Sequence, residues 1–585
     1  MVLEFINRKE FFAMEKIYRT EHPEPQFERS TWRNLNGVWQ FETDNGRSGV
    51  ARGLFRDDVT LSGSINVPFC PESRLSGIGN TDFLYGVVYK RTFPLNSAEC
   101  SGRVLLHFGA VDHVCKAYVG ETLVGTHKGG YTSFVFDITK AVHEGENTLT
   151  VFAEDDTRDP MIPSGKQCDQ YRSYGCLYTR TTGIWQTVWL EFVPQNYIRS
   201  VRFFPNPDQT SVSILANATG TGELTVSASF EGKPMGTATA KVCGGKAELC
   251  LPLAEKHLWE IGKGGLYDLT LTYGNDEVKS YFGLRSVGIE GHQFLLNGKS
   301  VFQRLILDQG FYPDGIYTAP SDEALEKDIR LSMSFGFNGA RLHEKIFEPR
   351  FLAHCDRLGY IVWGEFPNWG LDHTDPLALY AMLPAWMEEL ERDFNHPSII
   401  GWCPFNETWE RAGKKQCDDL IRTVYEVTKA TDPTRPCLDS SGSLHVATDI
   451  FDVHDYLQDP AALAEQYEKM ENGGEIYLSK QNNSDALAVG KPYFVSEFGG
   501  IKWAPATAGG WGYGNAPKTP EEFFERFRGL CEVLMNNKRI CGFCYTQLTD
   551  VEQEQNGVCY YDRTPKFDAA RFREVLSAPA AIETE

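Results

Sequence analysis

The sequence predicts two β-sandwiches followed by a (β/α)8 barrel, a multidomain architecture that rests on three observations. Up to about residue 282, short segments of alternating apolar and polar residues are separated by Gly, Asp and Asn turns, the pattern of antiparallel sheets with one buried face. After Gly283 short apolar runs alternate with longer stretches of helical period. About 300 residues remain for eight such units, which suits a TIM barrel.

The first block, residues 1–193, contains Val104-Leu-Leu-His-Phe, Ala117-Tyr-Val, Phe134-Val-Phe-Asp-Ile and Leu149-Thr-Val-Phe. The second, residues 194–285, contains Val212-Ser-Ile-Leu, Leu224-Thr-Val-Ser-Ala-Ser-Phe, Ala247-Glu-Leu-Cys-Leu and Tyr267-Asp-Leu-Thr-Leu-Thr. Its span of about 90 residues suits an immunoglobulin-like sandwich. In the third, residues 286–585, strands are expected at Val301–Ile306, Gly339–His343, Tyr360–Glu365, Ile399–Phe405, Cys437–Ser440, Ile450–Tyr456, Tyr493–Glu497 and Ile540–Thr546. Leu325, Ile329 and Met333 recur at i, i+4, i+8, and Met387, Leu390 and Phe394 at i, i+3, i+7, so each set predicts a buried helical stripe. In such a barrel the active site lies at the C-terminal ends of the strands.

Composition narrows the function classes. The 585 residues carry 57 basic and 79 acidic side chains, a formal net charge of −22, with 42% hydrophobic and 23% charged residues, as in a folded globular chain. No run of Lys or Arg offers the basic face that phosphate neutralisation needs, so a nucleic-acid partner is excluded and small substrates are expected. No apolar stretch of about 18 residues occurs, so no membrane span is expected. The segment Met1 to Phe27 interrupts every short apolar run with a charge, so no signal peptide is expected. The 15 cysteines, scattered from Cys70 to Cys559, read as reduced thiols rather than a disulfide framework. A cytoplasmic enzyme is the expectation.

Two of the expected strands run into glutamates. The fourth reads Ile-Ile-Gly-Trp-Cys-Pro-Phe and ends in Asn406 and Glu407; the seventh, Pro-Tyr-Phe-Val-Ser, ends in Glu497. Retaining glycoside hydrolysis needs two carboxylates of this kind, one to protonate the leaving oxygen and one to attack the anomeric carbon. A glutamate at a strand end is also commonly a salt-bridge partner or a loop cap. What singles these out is the pair, delivered to one barrel mouth. Glu407 has to hold a proton, and the charge of Glu497 is expected to raise its pKa.

These residues also carry a resemblance. The stretch Arg392-Asp-Phe-Asn-His-Pro-Ser-Ile-Ile-Gly-Trp-Cys-Pro-Phe-Asn-Glu407 resembles the acid/base signature of glycoside hydrolase family 2, the family of β-galactosidase and β-glucuronidase. Trp32-Arg-Asn-Leu-Asn-Gly-Val-Trp39 and Gly183-Ile-Trp-Gln-Thr-Val-Trp-Leu190 are similar to the opening and closing motifs of that family's jelly-roll domain. The resemblance covers nearly the whole chain and implies a jelly roll, an immunoglobulin-like domain and a TIM barrel in that order. It implies Glu407 as general acid/base, Glu497 as nucleophile and Asn406 as donor to the sugar 2-hydroxyl. Tyr456 falls where family members often keep a tyrosine near the nucleophile, or is a packing aromatic. Asp308, Arg341, His343 and Glu365 fall where the family keeps polar residues around the sugar, touching it or standing behind it. Trp503 and Trp511, after Glu497, either stack on a pyranose or anchor their loop.

No cofactor and no intrinsic metal site are expected: the histidines are dispersed, and Cys541-Gly-Phe-Cys544 lies within an expected buried strand. Some family members bind magnesium or sodium near the site. The family resemblance also implies a homo-oligomer, and an exo-acting pocket for a terminal sugar rather than an open cleft. A carbohydrate-binding protein without catalysis is the alternative from another class.

The sugar is approached through an absence. Family members that cleave β-glucuronides carry an Asn-x-Lys pair whose lysine holds the C6 carboxylate. Ahead of Gly557 this chain has Glu554, Gln555 and Asn556 instead. Leu307-Asp-Gln-Gly-Phe-Tyr-Pro-Asp-Gly and Asn338-Gly-Ala-Arg-Leu-His-Glu-Lys resemble a gut-bacterial branch that includes β-galacturonidases. A β-galacturonide is therefore expected first, with Arg341, Lys345 or Lys502 as possible cations, then a β-galactoside, then a β-glucuronide.

Overall fold

The computed structural model describes residues 16–408, 410–471, 473–479, 487–505 and 510–584. The first sandwich packs a four-stranded sheet, in the order Trp32–Asn34, Val188–Val193, Arg103–Phe108, Phe134–Asp137, against a six-stranded one. The strand Gly37–Thr43 shows how alternation sets the fold. Trp39 and Phe41 point into the core, while Val38 before them is exposed and Gln40 between them is half-buried. The opening and closing motifs turn out to be cross-strand neighbours, with Trp32 opposite Glu191 and Asn34 opposite Trp189. The second sandwich has three strands facing four, and along Lys246–Pro252 the inward residues are Ala247, Leu249 and Leu251.

A small antiparallel meander, Val287–Ser300, leads into the barrel. Its regular parallel strands are β1 (Gln303–Asp308), β2 (Gly339–Leu342), β3 (Ile361–Glu365), β4 (Ile399–Cys403), β5 (Phe451–Asp455), β6 (Tyr493–Gly499) and β7 (Ile540–Thr546), hydrogen-bonded in the order β4-β3-β2-β1-β7-β6-β5. The helices are α1 (Asp322–Phe335), α2 (Pro349–Leu358), α3 (Ala378–Asp393), α4 (Asp418–Thr431), α5 (Pro460–Glu471), α6 (Pro520–Met535) and α7 (Ala569–Leu576). All these strands are buried on both faces, as a sheet wrapped by helices requires.

Three expectations are corrected. The segment Cys437–Ser440 is no regular strand: it touches β4 and the residues after it through isolated bridges, Trp402 to Cys437 and Asn406 to Ser441. Its polar side chains bind locally instead, Asp439 accepting from Val446 N and Ala447 N at 2.6 and 2.9 Å. Met333 is only half-buried, because Asp328, Ser332 and Phe335 share the inner face of α1 with Leu325 and Ile329. Met387 is 46% exposed; the phase of α3 is set by Trp386, whose indole donates to Thr428 Oγ1 at 2.8 Å.

A segment before the first sandwich ties the two sandwiches together. Arg29 lies buried between them, with Nε 2.8 Å from Asp276 Oδ1 and Nη1 3.1 Å from Glu191 Oε2. Replacing Arg29 by Met leaves the buried Asp276 without its cation and Glu191 with His107 and His22 alone, and should cost about 3–5 kcal/mol. A urea titration reads this directly, and a change below about 0.5 kcal/mol would show that Arg29 is no clamp.

Candidate active site

The C-terminal ends of the strands converge on Arg341. This residue, 1% exposed at the end of β2, sends Nε to Glu365 Oε1 on β3 at 2.5 Å, Nη2 to Asn406 Oδ1 at 3.0 Å, and Nη1 to both Glu497 Oε1 at 3.1 Å and Ser496 O at 2.9 Å. A planar guanidinium has the fork geometry to hold acceptors from several directions at once. Asn406 is fixed in consequence. Its carbonyl oxygen faces Arg341, and its Nδ2 is buried with no partner among the described residues, a donor left for something that enters the site.

Glu497 is held from the other side by Tyr456, whose hydroxyl donates to Oε2. Burial and the Glu497 charge push the Tyr456 phenol well up, so it stays a donor. Its ring stacks on Tyr513 with centroids 3.4 Å apart. His343 Nδ1 stands 3.2 Å from Glu365 Oε2, behind the same cluster. Glu407 leaves β4 with a left-handed φ of 49°, its N–H donating to Ser441 O at 2.9 Å. A non-glycine residue held in that region is a strained position that the surroundings have to impose.

Between the two glutamates stands His454 of β5, a residue that sequence reading passed over. Its Nδ1 is 2.8 Å from Glu407 Oε1 and 3.4 Å from Glu497 Oε2. Gly442, at φ +68°, makes room for it: a Cβ there would lie 2.3 Å from the imidazole ring. Burial alone would lower the His454 pKa, but the charge of Glu497 and the hydrogen bond and charge of Glu407 outweigh it and raise it. The reciprocal effect falls on Glu407. Burial pushes its carboxyl up, and His454, Lys166 and Arg341 together pull it below the ordinary carboxylate range. The expected net rise from Glu497 is thus reversed in the free site. Ligand atoms of Glu407, His454 and Glu497 all lie within 4.8 Å of one another, which is metal-ligand spacing, and the raised His454 supplies a positive charge there itself.

The structure thus brings together Glu407, Glu497, Asn406, Tyr456, Arg341 and His343. Two candidates stand apart. The Asp308 carboxylate accepts from Gly310 N at 2.9 Å, and none of its hydrogen bonds reaches the cluster. Trp503 packs its ring against Phe523 and Phe567, where an apolar indole is better buried than facing a polar mouth. Trp511 anchors its loop by donating to Gly175 O of the first sandwich. Of the expected cations, Arg341 is fully engaged, Lys345 donates to Gly310 O and to Tyr317 O, and Lys502 makes no ion pair among the described residues. Glu554 is buried and accepts from Tyr178 OH and from Asn556 Nδ2 at 2.9 Å.

If His454 is charged by its two carboxylates, its imidazole should titrate above 6.5 in labelled protein followed by NMR, and Glu497→Gln should lower that value. A midpoint at or below 6.5 in both proteins contradicts the arrangement.

Residues 32–188 match the profile of the glycosyl hydrolases family 2 sugar binding domain, and residues 287–513 that of the glycosyl hydrolases family 2 TIM barrel domain. Among curated relatives, a β-galactosidase of Thermoanaerobacterium thermosulfurigenes is 25% identical over 499 residues, 80% of this chain and 64% of that protein. A β-glucuronidase of Felis catus is 25% identical over 458 residues, 69% of this chain and 67% of that protein. The chain spans about half the length of a Formosa agariphila relative to which it is 27% identical. The structure of Bifidobacterium dentium β-glucuronidase complexed with coumarin-3-O-glucuronide superposes with a TM-score of 0.78, covering 94% of this chain and 98% of that one; at 22% identity the likeness is one of fold.

Proposed function

Because the chain belongs to glycoside hydrolase family 2, we propose that it is an exo-acting, retaining β-glycosidase that releases a terminal β-linked hexose or hexuronic acid. The observation that carries this reading is the pair of carboxylates on β4 and β6 with His454 between them, ligand atoms within 4.8 Å. Retaining enzymes keep their carboxyl groups about 5 to 5.5 Å apart, inverting ones wider. In the first step a Glu497 oxygen attacks the anomeric carbon while Glu407 gives a proton to the glycosidic oxygen, which leaves with it. In the second, water gives a proton to Glu407 and its oxygen to the anomeric carbon, freeing Glu497. Two inversions give net retention. His454 Nδ1, 2.8 Å from Glu407 Oε1, is within transfer distance and can supply the proton that Glu407 gives. The unpartnered Nδ2 of Asn406 is the donor to the sugar 2-hydroxyl.

The exo reading is supported by the wall around the mouth. Ser164 and Gly165 N–H groups of the first sandwich both donate to Trp369 O, Tyr178 binds Glu554, and Gln553 Nε2 donates to Leu177 O at 3.0 Å, so the jelly roll closes one side of the barrel. As for the sugar, Glu554 and Asn556 bind each other where a glucuronide carboxylate would need a cation. We therefore place a β-D-galacturonide ahead of a β-galactoside, and both ahead of a β-glucuronide. Self-association is proposed on family resemblance; a light-scattering mass near 65.9 kDa would overturn it.

Glu497→Ala should lose at least about ten-thousandfold in kcat on every substrate, since no covalent intermediate forms. Glu407→Ala should lose about 10²- to 10⁴-fold on alkyl glycosides yet keep most activity on nitrophenyl glycosides, whose leaving groups need no proton. A panel of 4-nitrophenyl β-glycosides with both variants tests this. No turnover of any member by the unaltered protein would favour the binding-protein alternative, and parental rates in both variants would falsify the assignment.

A further inference from the structure

Three lysines are buried among the described residues, and two of them have acceptors: Lys90 Nζ donates to Arg56 O and Val59 O, and Lys345 Nζ to Gly310 O and Tyr317 O. The third is different. Lys166, 4% exposed, has no hydrogen-bond acceptor and no carboxylate within ion-pair distance among the described residues; its ammonium sits 3.4 Å from the centroid of the Trp369 ring. An ammonium taken out of water without a directly paired carboxylate is costly, so a folded chain keeps one where something else binds.

Its position is built rather than incidental. The N–H groups of Ser164 and Gly165 donate to Trp369 O at 2.7 and 3.1 Å, and Tyr178 N donates to Lys166 O at 2.8 Å. Gly165, at φ +55°, lets the strand of chain lie flush on the barrel: a Cβ there would fall 2.4 Å from Glu344 O. Trp369 in turn donates its N–H to Glu344 Oε2 at 3.0 Å and its indole N–H to Asn406 O at 3.2 Å. The cation is therefore one indole away from Asn406, the residue before Glu407. The charges of Glu344, Glu407 and Glu497 reach it and favour its charged form against burial.

We infer that Lys166 is a specificity-determining cation of this site: its ammonium pairs with a carboxylate of the substrate, carried by the terminal sugar or by the group attached to it, so that acidic β-glycosides are the preferred class. The cation comes from the jelly roll and reaches across to the barrel. This inference deepens the glycosidase reading and rests on it for the turnover assay, while a binding measurement stands apart from it.

The test compares Lys166→Met and Lys166→Arg with the unaltered protein on 4-nitrophenyl β-galacturonide, 4-nitrophenyl β-galactoside and 4-carboxyphenyl β-galactoside. In Lys166→Met the ratio of kcat/KM for an acidic to the neutral glycoside should fall about a hundredfold, and in Lys166→Arg it should stay within about tenfold. Which acidic substrate loses its advantage tells whether the carboxylate belongs to the sugar or to the leaving group. Ratios unchanged for both acidic substrates overturn the inference, because a cation that only positions Glu407 would slow all three alike. Lys166→Met removes a charge that Glu344, Glu407 and Glu497 favour, so its Tm should fall modestly while the fold is kept. The rise in Tm with galacturonate or 4-hydroxybenzoate should disappear in it, and equal rises in both proteins overturn the inference. If the unaltered protein turns over none of the glycosides but shows such a rise that Lys166→Met lacks, the glycosidase reading fails and the cation stands.

Discussion

Arg341 holds a positive charge at a site that is 1% exposed, and it does so because each face of its guanidinium meets an acceptor from a different strand end. Desolvating such a group is tolerable only when its donors are all used and opposite charges stand close. The consequence runs both ways. Glu365, Asn406 and Glu497 cannot wander, since leaving would strand the cation, and Arg341 cannot be exchanged for lysine without losing the fork that addresses three strands at once. The barrel's layers below supply the stiffness, and the ion network fixes the orientation of the groups above.

The jelly roll contributes more than a neighbour's surface. Its loop from Thr157 to Arg180 lies on the barrel through backbone bonds to Trp369, and the barrel's own loop answers with Trp511 and Gln553 reaching back to Gly175 and Leu177. Main-chain acceptors set the direction of this contact, and Tyr131, Tyr178 and Trp185 add apolar packing against Phe311 and Tyr317 of the barrel. Arg29 then fixes the two sandwiches relative to each other.

Charges at the mouth are sorted by their partners. Glu365 and Glu497 meet Arg341, and Glu407 meets His454, so these carboxylates are each met by a cation. Burial raises Glu344 and Glu554, and in both the charge of Lys166 opposes that rise. A site of this kind presents donors, Asn406 Nδ2, Tyr456 OH and Lys166 Nζ, around a pair of carboxylates, a combination suited to an oxygen-rich ligand.

Local pattern alone determined much of this protein. Period-two alternation put Trp39 and Phe41 inside, the change of rhythm after Gly283 marked the barrel, and apolar runs ending in Glu407 and Glu497 pointed to its mouth. Side-chain direction in a strand follows from the pleat, so these are facts the sequence carries by itself. Helix phase was less legible: Met387 fits a stripe on paper, but packing of Trp386 against Thr428 turned it outward. The expected strand at Cys437–Ser440 failed because Asp439 accepts from Val446 N and Ala447 N while Ser441 and Gly442 donate to Asp452, a competition that apolar runs do not reveal. His454 lies two residues before Tyr456 and Lys166 lies 241 residues before Glu407 in the numbering. Neither stands in a motif of its own. What makes one a bridge between two carboxylates and the other an unpaired cation is contact between strands and domains far apart along the chain, and such contacts leave no period in the sequence for a reader to find.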